Sequence, residues 1–265
     1  MSTSTGSTES RHGDRTMGCY VYGVVPADVE VRSDARGLGD PPGKVKVVRF
    51  GEIGALVGEI GLDTPLGSPE DLMAYEHLLD GAAREAPVIP VRFGAIMTDS
   101  QAVADELLVP YHDEFLAALE ELEGRAEYVV KGRYREDALL REILSDNPEI
   151  ARQRDKIRGE SPELTRNERI AVGEAVNRAI AAKRDADTRK LVDVLTPHCV
   201  AVKIREAVHE EDAAHVAVLL DTERLVELED ALRKLDQEWA GRVTFRLLGP
   251  LAPYDFVVTR NQMGY

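Results

Sequence analysis

The side chains best placed to do acid–base or metal chemistry near neutral pH are six histidines, His12, His77, His112, His198, His209 and His215. The densest cluster is His209-Glu210-Glu211-Asp212-Ala213-Ala214-His215. Its histidines lack the i, i+4 spacing that sets two ligands on one helical face, and the segment reads as a solvated turn between strands. His77 follows Glu76 on an amphipathic stretch, where a helix-packing histidine is the expectation and a general base the alternative. Gly37-Leu38-Gly39 runs into Asp40-Pro41-Pro42, and Gly51, Gly54 and Gly58 precede no helix, so neither set builds a phosphate loop. Signatures of α/β-hydrolases, kinases and zinc fingers are absent. Acid pairs such as Glu120-Glu121 read as solvated helix surface. An enzyme would have to work from an inter-domain cleft with His77 and Arg92 as its pair. The expectation is instead a protein without catalytic residues, metal or cofactor, acting by binding another protein.

Cys19 and Cys199 each open an apolar run and belong to no CxxC spacing, which points to buried free thiols in a reducing compartment, the cytoplasm. The 33 Lys and Arg against 48 Asp and Glu give a formal net charge of −15. That balance repels phosphate backbones and anionic lipid, so neither nucleic acid nor a membrane is expected as partner. No apolar stretch approaches the roughly 20 residues of a membrane-spanning helix.

Two segments stand out from this background. Val88-Ile89-Pro90-Val91-Arg92-Phe93-Gly94 sets a proline inside a strand and an arginine beside an aromatic. Pro90 there implies an edge or a bulge. Arg92 either turns inward to a carboxylate or presents its guanidinium to a partner, and the structural use is the one expected. Gly249-Pro250-Leu251-Ala252-Pro253-Tyr254-Asp255-Phe256 follows the last strand. Its prolines favour an extended course. Leu251, Tyr254 and Phe256 are anchors for a groove, either on this chain's own first domain, near Tyr20–Val25, or on a partner. Pro90, Arg92, Phe93, Leu251, Tyr254 and Phe256 are therefore the candidate binding or motif residues.

The elements that must position these segments follow from periodicity. With 43% hydrophobic and 31% charged residues over 265 positions, the chain has material for one large or two ordinary cores. Cys19–Val25 reads as a strand, and Val45–Phe50 with Ile53–Ile60 as a hairpin about Gly51-Glu52. Ser68-Pro69-Glu70-Asp71 starts a helix carrying Leu72, Tyr75, Leu79, Ala82 and Ala86. Val88–Arg92 is the next strand, Asp99 lies in a cap before another helix, and Pro110 interrupts it. From Gly124 come a strand at Ala126–Tyr134, a charged helical region opened by Asn147, and a long helix capped at Thr165 with Ile170, Val176, Ile180, Leu191 and Leu195 inward. Strands at Cys199–Arg205 and Ala213–Leu220, a helix capped by Asp221, and an alternating strand at Val243–Leu247 complete the order. The fold class is α+β with two domains. Residues 18–123 form a less regular α/β sandwich, and 124–249 a ferredoxin-like βαββαβ domain with a charged helical insertion. Residues 1–17 form a disordered tail, and 250–265 a strap and tail.

The same segments carry a resemblance. Tyr20-Val21-Tyr22-Gly23-Val24-Val25, the helix with His77, Val88–Gly94, Glu127-Tyr128-Val129-Val130-Lys131 and Gly249–Phe256 occur in the order typical of the gas vesicle protein F/L family. The chain resembles that family from Tyr20 to Val258. The resemblance implies an accessory protein of gas vesicle formation whose partners are the major, very hydrophobic shell protein and other accessory proteins. It would bind that protein and keep it assembly-competent in the cytoplasm. A minor structural component incorporated in the vesicle is the alternative. The family supplies no catalytic residue.

Overall fold

The computed structural model describes residues 16–39, 41–239 and 241–257. The expected N-terminal tail falls outside this range up to residue 15, and the end of the chain falls outside it from residue 258. The chain divides into two compact units that meet at Glu123 and Gly124. The residues form the α+β fold anticipated from the hairpins.

The first unit is built on β1 (Met17–Pro26), β2 (Val45–Phe50), β3 (Ile53–Gly61), β4 (Ile89–Pro90) and β5 (Ile96–Met97). The sheet runs β2-β3-β1-β4, with β5 also on β1 and every pairing antiparallel. β1 is buried from Gly18 to Val25, which is why its sequence is a continuous apolar run and not an alternation. Gly51, at φ 56°, closes the β2–β3 turn in a conformation that favours glycine. Helix α1 (Pro69–Ala83) begins with a full capping box: Ser68 Oγ accepts from Asp71 N, and the Asp71 carboxylate accepts from Ser68 N. It buries Tyr75 and Leu79, while Leu72 stays 42% exposed. Asp99 caps α2 (Ser100–Ala102), which widens at once into a π-type turn over Val103–Leu108. Pro110 lies between this turn and α3 (His112–Leu122). The expected strand Val88–Arg92 shrinks to Ile89–Pro90, because Val91 N bonds to Tyr22 O and the chain then turns.

The second unit comprises β6 (Arg125–Tyr134), α4 (Glu136–Asp146), α5 (Pro148–Ile157), α6 (Arg166–Leu195), β7 (Ala201–Ile204), β8 (Asp212–Asp221), α7 (Leu225–Glu238) and β9 (Val243–Leu251). Its antiparallel sheet runs β7-β8-β6-β9. The connection order is β-α-β-β-α-β with three helices in the first crossover. One face packs Tyr128, Val130, Val216, Val218 and Leu220 against Leu191, Leu195, Leu228, Leu232, Leu235 and Trp239.

Three expected helix starts differ in detail. Thr165 makes no capping bond from its side chain, and Asn147 spends its amide on the Ile143 carbonyl. Asp221 binds Arg125 Nε at 3.0 Å instead of capping, so α7 starts after an intervening 3₁₀ turn. Ile170 is 52% exposed, since the buried side chains of α6 (Asp187, Leu191 and Leu195) lie in its C-terminal third. No helix among the described residues is long and apolar enough to cross a membrane.

Candidate functional site

Tyr20 and Tyr22 lie two apart on β1 and so share a face, the one that meets α1. Their rings are 4.8 Å apart, and Phe93 and Tyr75 close the cluster at 5.4 Å from each other. Each hydroxyl reaches a backbone group of a loop. Tyr20 Oη accepts from Gly94 N at 2.8 Å, Tyr22 Oη accepts from Leu38 N at 2.8 Å, and Tyr75 Oη donates to Val91 O. Burial pushes the Tyr20 phenol up to about 12 and that of Tyr75 further, so both stay neutral and act as hydrogen-bonding posts, not as bases. Gly23 is required where it stands, because a Cβ would lie 2.8 Å from Ile89 O. The two motifs of the first unit are thus a single device. The Tyr20 hydroxyl and the Tyr22 carbonyl of one hold Gly94 and Val91 of the other, and Tyr75 of α1 adds a bond to Val91.

That loop turns its arginine outward. Pro90 is buried in the two-residue strand and Phe93 is half-buried in the aromatic cluster, but Arg92 is exposed. No hydrogen bond or ion pair ties its side chain among the described residues. The expectation of an inward, carboxylate-bound Arg92 is therefore corrected. Gly94, at φ 90°, lets the chain reverse immediately, so the side chain before Phe93 is left on the outer side of the turn.

The second motif is corrected as well. Gly249–Leu251 is not a free extended strap but the end of β9, with Leu251 paired to Glu127. Ala252–Val257 then curls, with Tyr254 N bonded to Ala252 O and Phe256 N to Pro253 O. Asp255 pins this turn to the second unit's own sheet. Its Oδ2 lies 2.5 Å from Arg205 Nε, its Oδ1 3.1 Å from Lys203 Nζ, and its backbone N donates to Glu127 Oε2 at 2.9 Å. Glu127, fully buried, binds Arg205 through its other oxygen at 2.7 Å. Partial burial raises the Asp255 carboxyl, but the bonds from Lys203 and Arg205 outweigh it and hold the group below its ordinary range. Residues 250–257 accordingly belong with the second unit. Leu251, Tyr254 and Phe256 are all half-buried there. Gly249 admits no Cβ, which would sit 2.4 Å from the Tyr128 ring.

A further polar centre was missed in the sequence. Asp187, 6% exposed, accepts from Tyr134 Oη at 2.6 Å and from both terminal nitrogens of Arg242 at 2.5 and 3.0 Å. Arg242 Nε reaches Glu142 Oε2 at 3.2 Å, and its guanidinium lies 4.6 Å from the Trp239 ring centre. Burial raises the Tyr134 phenol, and the bond to Asp187 raises it further. Tyr134, Asp187 and Arg242 satisfy one another and, with the ion pair to Glu142, lock α4 and α6 to β6 and to the turn before β9. Only a lone aspartate in the inner stripe of α6 could have signalled it.

His77 is exposed on α1 and lines a groove of about 740 Å³ within the first unit. The groove runs between α1 and residues 29–36, floored by Leu56 and walled by Val29, Val31, Met73, Leu78 and Ala82. Arg32 and Glu85, 3.3 Å apart, bridge its rim. Arg92 is not among its lining residues. Among the described residues no three His, Cys, Asp or Glu side chains come together as a metal site.

The fold and its motifs thus define an α+β protein whose distinctive residues hold loops and termini in place and leave a groove with an apolar strip and an exposed arginine on the first unit. The family described as gas vesicle synthesis protein GvpL/GvpF matches residues 18–258, and the chain belongs to that family. It is 30% identical to gas vesicle protein F of a Streptomyces species over 244 residues, 91% of this chain and 100% of the relative. Its likeness to gas vesicle protein L from the same Streptomyces strain, 31% over 126 residues, spans 42% of this chain and 46% of that one. The crystal structure of GvpF from Anabaena superposes with a TM-score of 0.73 at 22% identity, covering 90% of this chain and 97% of that one.

Proposed function

We propose that this chain is an accessory factor that binds the major gas vesicle shell protein, prevents its aggregation and assists its assembly into vesicles in the cytoplasm. The observation that carries this reading is the groove beside α1. Val29, Val31, Leu56, Met73, Leu78 and Ala82 offer an apolar strip, with Met73 58% exposed, and the lining also carries Glu30, Arg32, Asp34, Arg36, Arg84 and Glu85. An apolar strip suits one hydrophobic face of a guest chain, and covering such a face is what keeps an unassembled shell subunit from associating nonspecifically. Arg92, held outward on its clamped loop, adds a second contact of a type enriched at protein interfaces. The reading assigns no catalytic residue: the Tyr20 and Tyr75 phenols serve as hydrogen-bonding posts and the buried Glu127 and Asp187 are bound to arginines.

Titration calorimetry of the full chain with solubilised shell protein tests the groove directly. Met73→Glu or Ala82→Glu, with an unchanged melting midpoint, should weaken binding by at least about tenfold. Because apolar contact is not screened, the wild-type affinity should change little between low and physiological salt. Equal affinity of both variants and wild type would overturn the groove as the binding site. Retention of the chain on washed vesicles, without affinity for the free subunit, would favour a minor component of the shell instead.

A further inference from the structure

One face of the second unit's sheet is covered by α6 and α7, and the other carries a row of basic residues. His215, Lys131 and Arg246 stand in register on β8, β6 and β9, and Arg205, immediately after β7, continues the row. Arg205 N bonds to His215 O at 2.8 Å, and Lys131 is the partner of both His215 and Arg246. The neighbours Val130, Val216 and Leu247 point into the helix-side core, so alternation turns these four away from it. At a strand spacing of about 4.8 Å the row is roughly 15 Å long.

Burial lowers the His215 pKa and leaves its ring neutral, so the like charges directly opposite each other are those of Lys131 and Arg246, a pairing that destabilises a sheet. The row also runs against the composition, 48 acidic residues to 33 basic. Glu127 and Asp255 neutralise Arg205 at one end. Lys131 and Arg246 are exposed, and among the described residues no carboxylate pairs with either. Two positions along β6, Arg133 is tied to Glu211 at 2.8 Å, so the sheet does neutralise a cation where a partner is available. Beside the row Val129 and Ala217 are fully buried, and Leu248, 41% exposed, is the accessible apolar neighbour.

We propose that this row is a docking surface for an acidic segment of a partner protein, one in which Asp or Glu residues flank an apolar side chain. Charge complementarity at Lys131 and Arg246 supplies the attraction, and Leu248 supplies the apolar neighbour. The roughly 15 Å of the row accommodates about four to five extended residues. A nucleic acid fits the surface poorly. The row and the strip beside it hold no aromatic ring on which a base could stack, and the net charge of −15 repels a long polyanion while a short segment feels mainly the local field. The surface lies on a different unit from the groove, so either proposal can fail alone.

Fluorescence anisotropy of the full chain with a short labelled peptide alternating Glu and Leu tests this. Binding should be measurable at low salt, should weaken as salt rises, and should drop at least about tenfold in Lys131→Glu/Arg246→Glu. Met73→Glu should bind this peptide as wild type does, and circular dichroism should show the same fold in all variants. Undiminished binding by the double variant, or equal binding of a Gln–Leu peptide, would overturn the proposal. So would a single-stranded oligonucleotide of equal charge binding as tightly as the peptide, because the row would then be a general polyanion surface.

Discussion

Glu127→Gln is the sharpest test of how the C-terminal turn is held. Glu127 is fully buried and each carboxylate oxygen has a donor: Arg205 Nη2 at 2.7 Å on one, Asp255 N at 2.9 Å on the other. Glutamine keeps the shape but has only one acceptor oxygen, so its NH₂ must face one of these donors. An unsatisfied buried donor costs about 1–3 kcal/mol. Removing one member of a buried ion pair costs about 3–5 kcal/mol when the other is stranded. Arg205 is not stranded, because it is 29% exposed and retains Asp255. The net loss should therefore be about 2–4 kcal/mol, and at about 2–4 °C per kcal/mol for a chain of this size the melting midpoint should fall by roughly 4–16 °C. Lys203→Ala serves as control. Its side chain is 54% exposed, and its pair with Asp255 should contribute less than about 1 kcal/mol. Differential scanning calorimetry gives both midpoints, and limited proteolysis should show faster cleavage within residues 252–257 in Glu127→Gln alone. A Glu127→Gln midpoint within a degree of wild type would refute the idea that this carboxylate anchors the turn.

Two further outcomes follow from the same reasoning. Arg92→Ala should leave the melting midpoint unchanged within about 0.5 kcal/mol, because the side chain is exposed and untied, yet should reduce affinity for the shell protein; a marked loss of stability would mean that Arg92 is structural. His112 titrates above the ordinary histidine range, chiefly through its hydrogen bond to Asp113 at 3.0 Å and also through Glu52 at 3.1 Å. Since the folded value is raised, its contribution to stability is complete below about pH 6.5, the unfolded value, and is lost as pH rises through the folded one. An NMR titration should show the raised midpoint in wild type and a lower one in Asp113→Asn, and identical midpoints would exclude Asp113 as the cause.

Much of the architecture was legible because it depends on neighbours in sequence. The capping box at Ser68, the Gly51 turn and the apolar runs of β1 and β8 follow from local hydrogen bonding, backbone freedom and hydrophobic spacing. The family motifs could be read as well, though not their physical use. Tyr20, Tyr75 and Phe93 look like ordinary core residues until β1, α1 and the loop after β4 are brought together.

What only the tertiary structure decided depends on distance along the chain. Glu127 meets Arg205 and Asp255 across 78 and 128 positions, and no local periodicity encodes such a meeting. The outward turn of Arg92 likewise depends on a hydroxyl 74 positions away holding Gly94. The basic row is the clearest case. Arg205, His215, Lys131 and Arg246 are unremarkable singly, and they become one surface only because strand register, set by burial of the opposite face, aligns them. By itself the sequence determined which segments form strands and helices and which family the chain resembles, since these rest on local spacing. Which charges satisfy one another, and which are left facing solvent, was decided by the packing of strands remote in the chain.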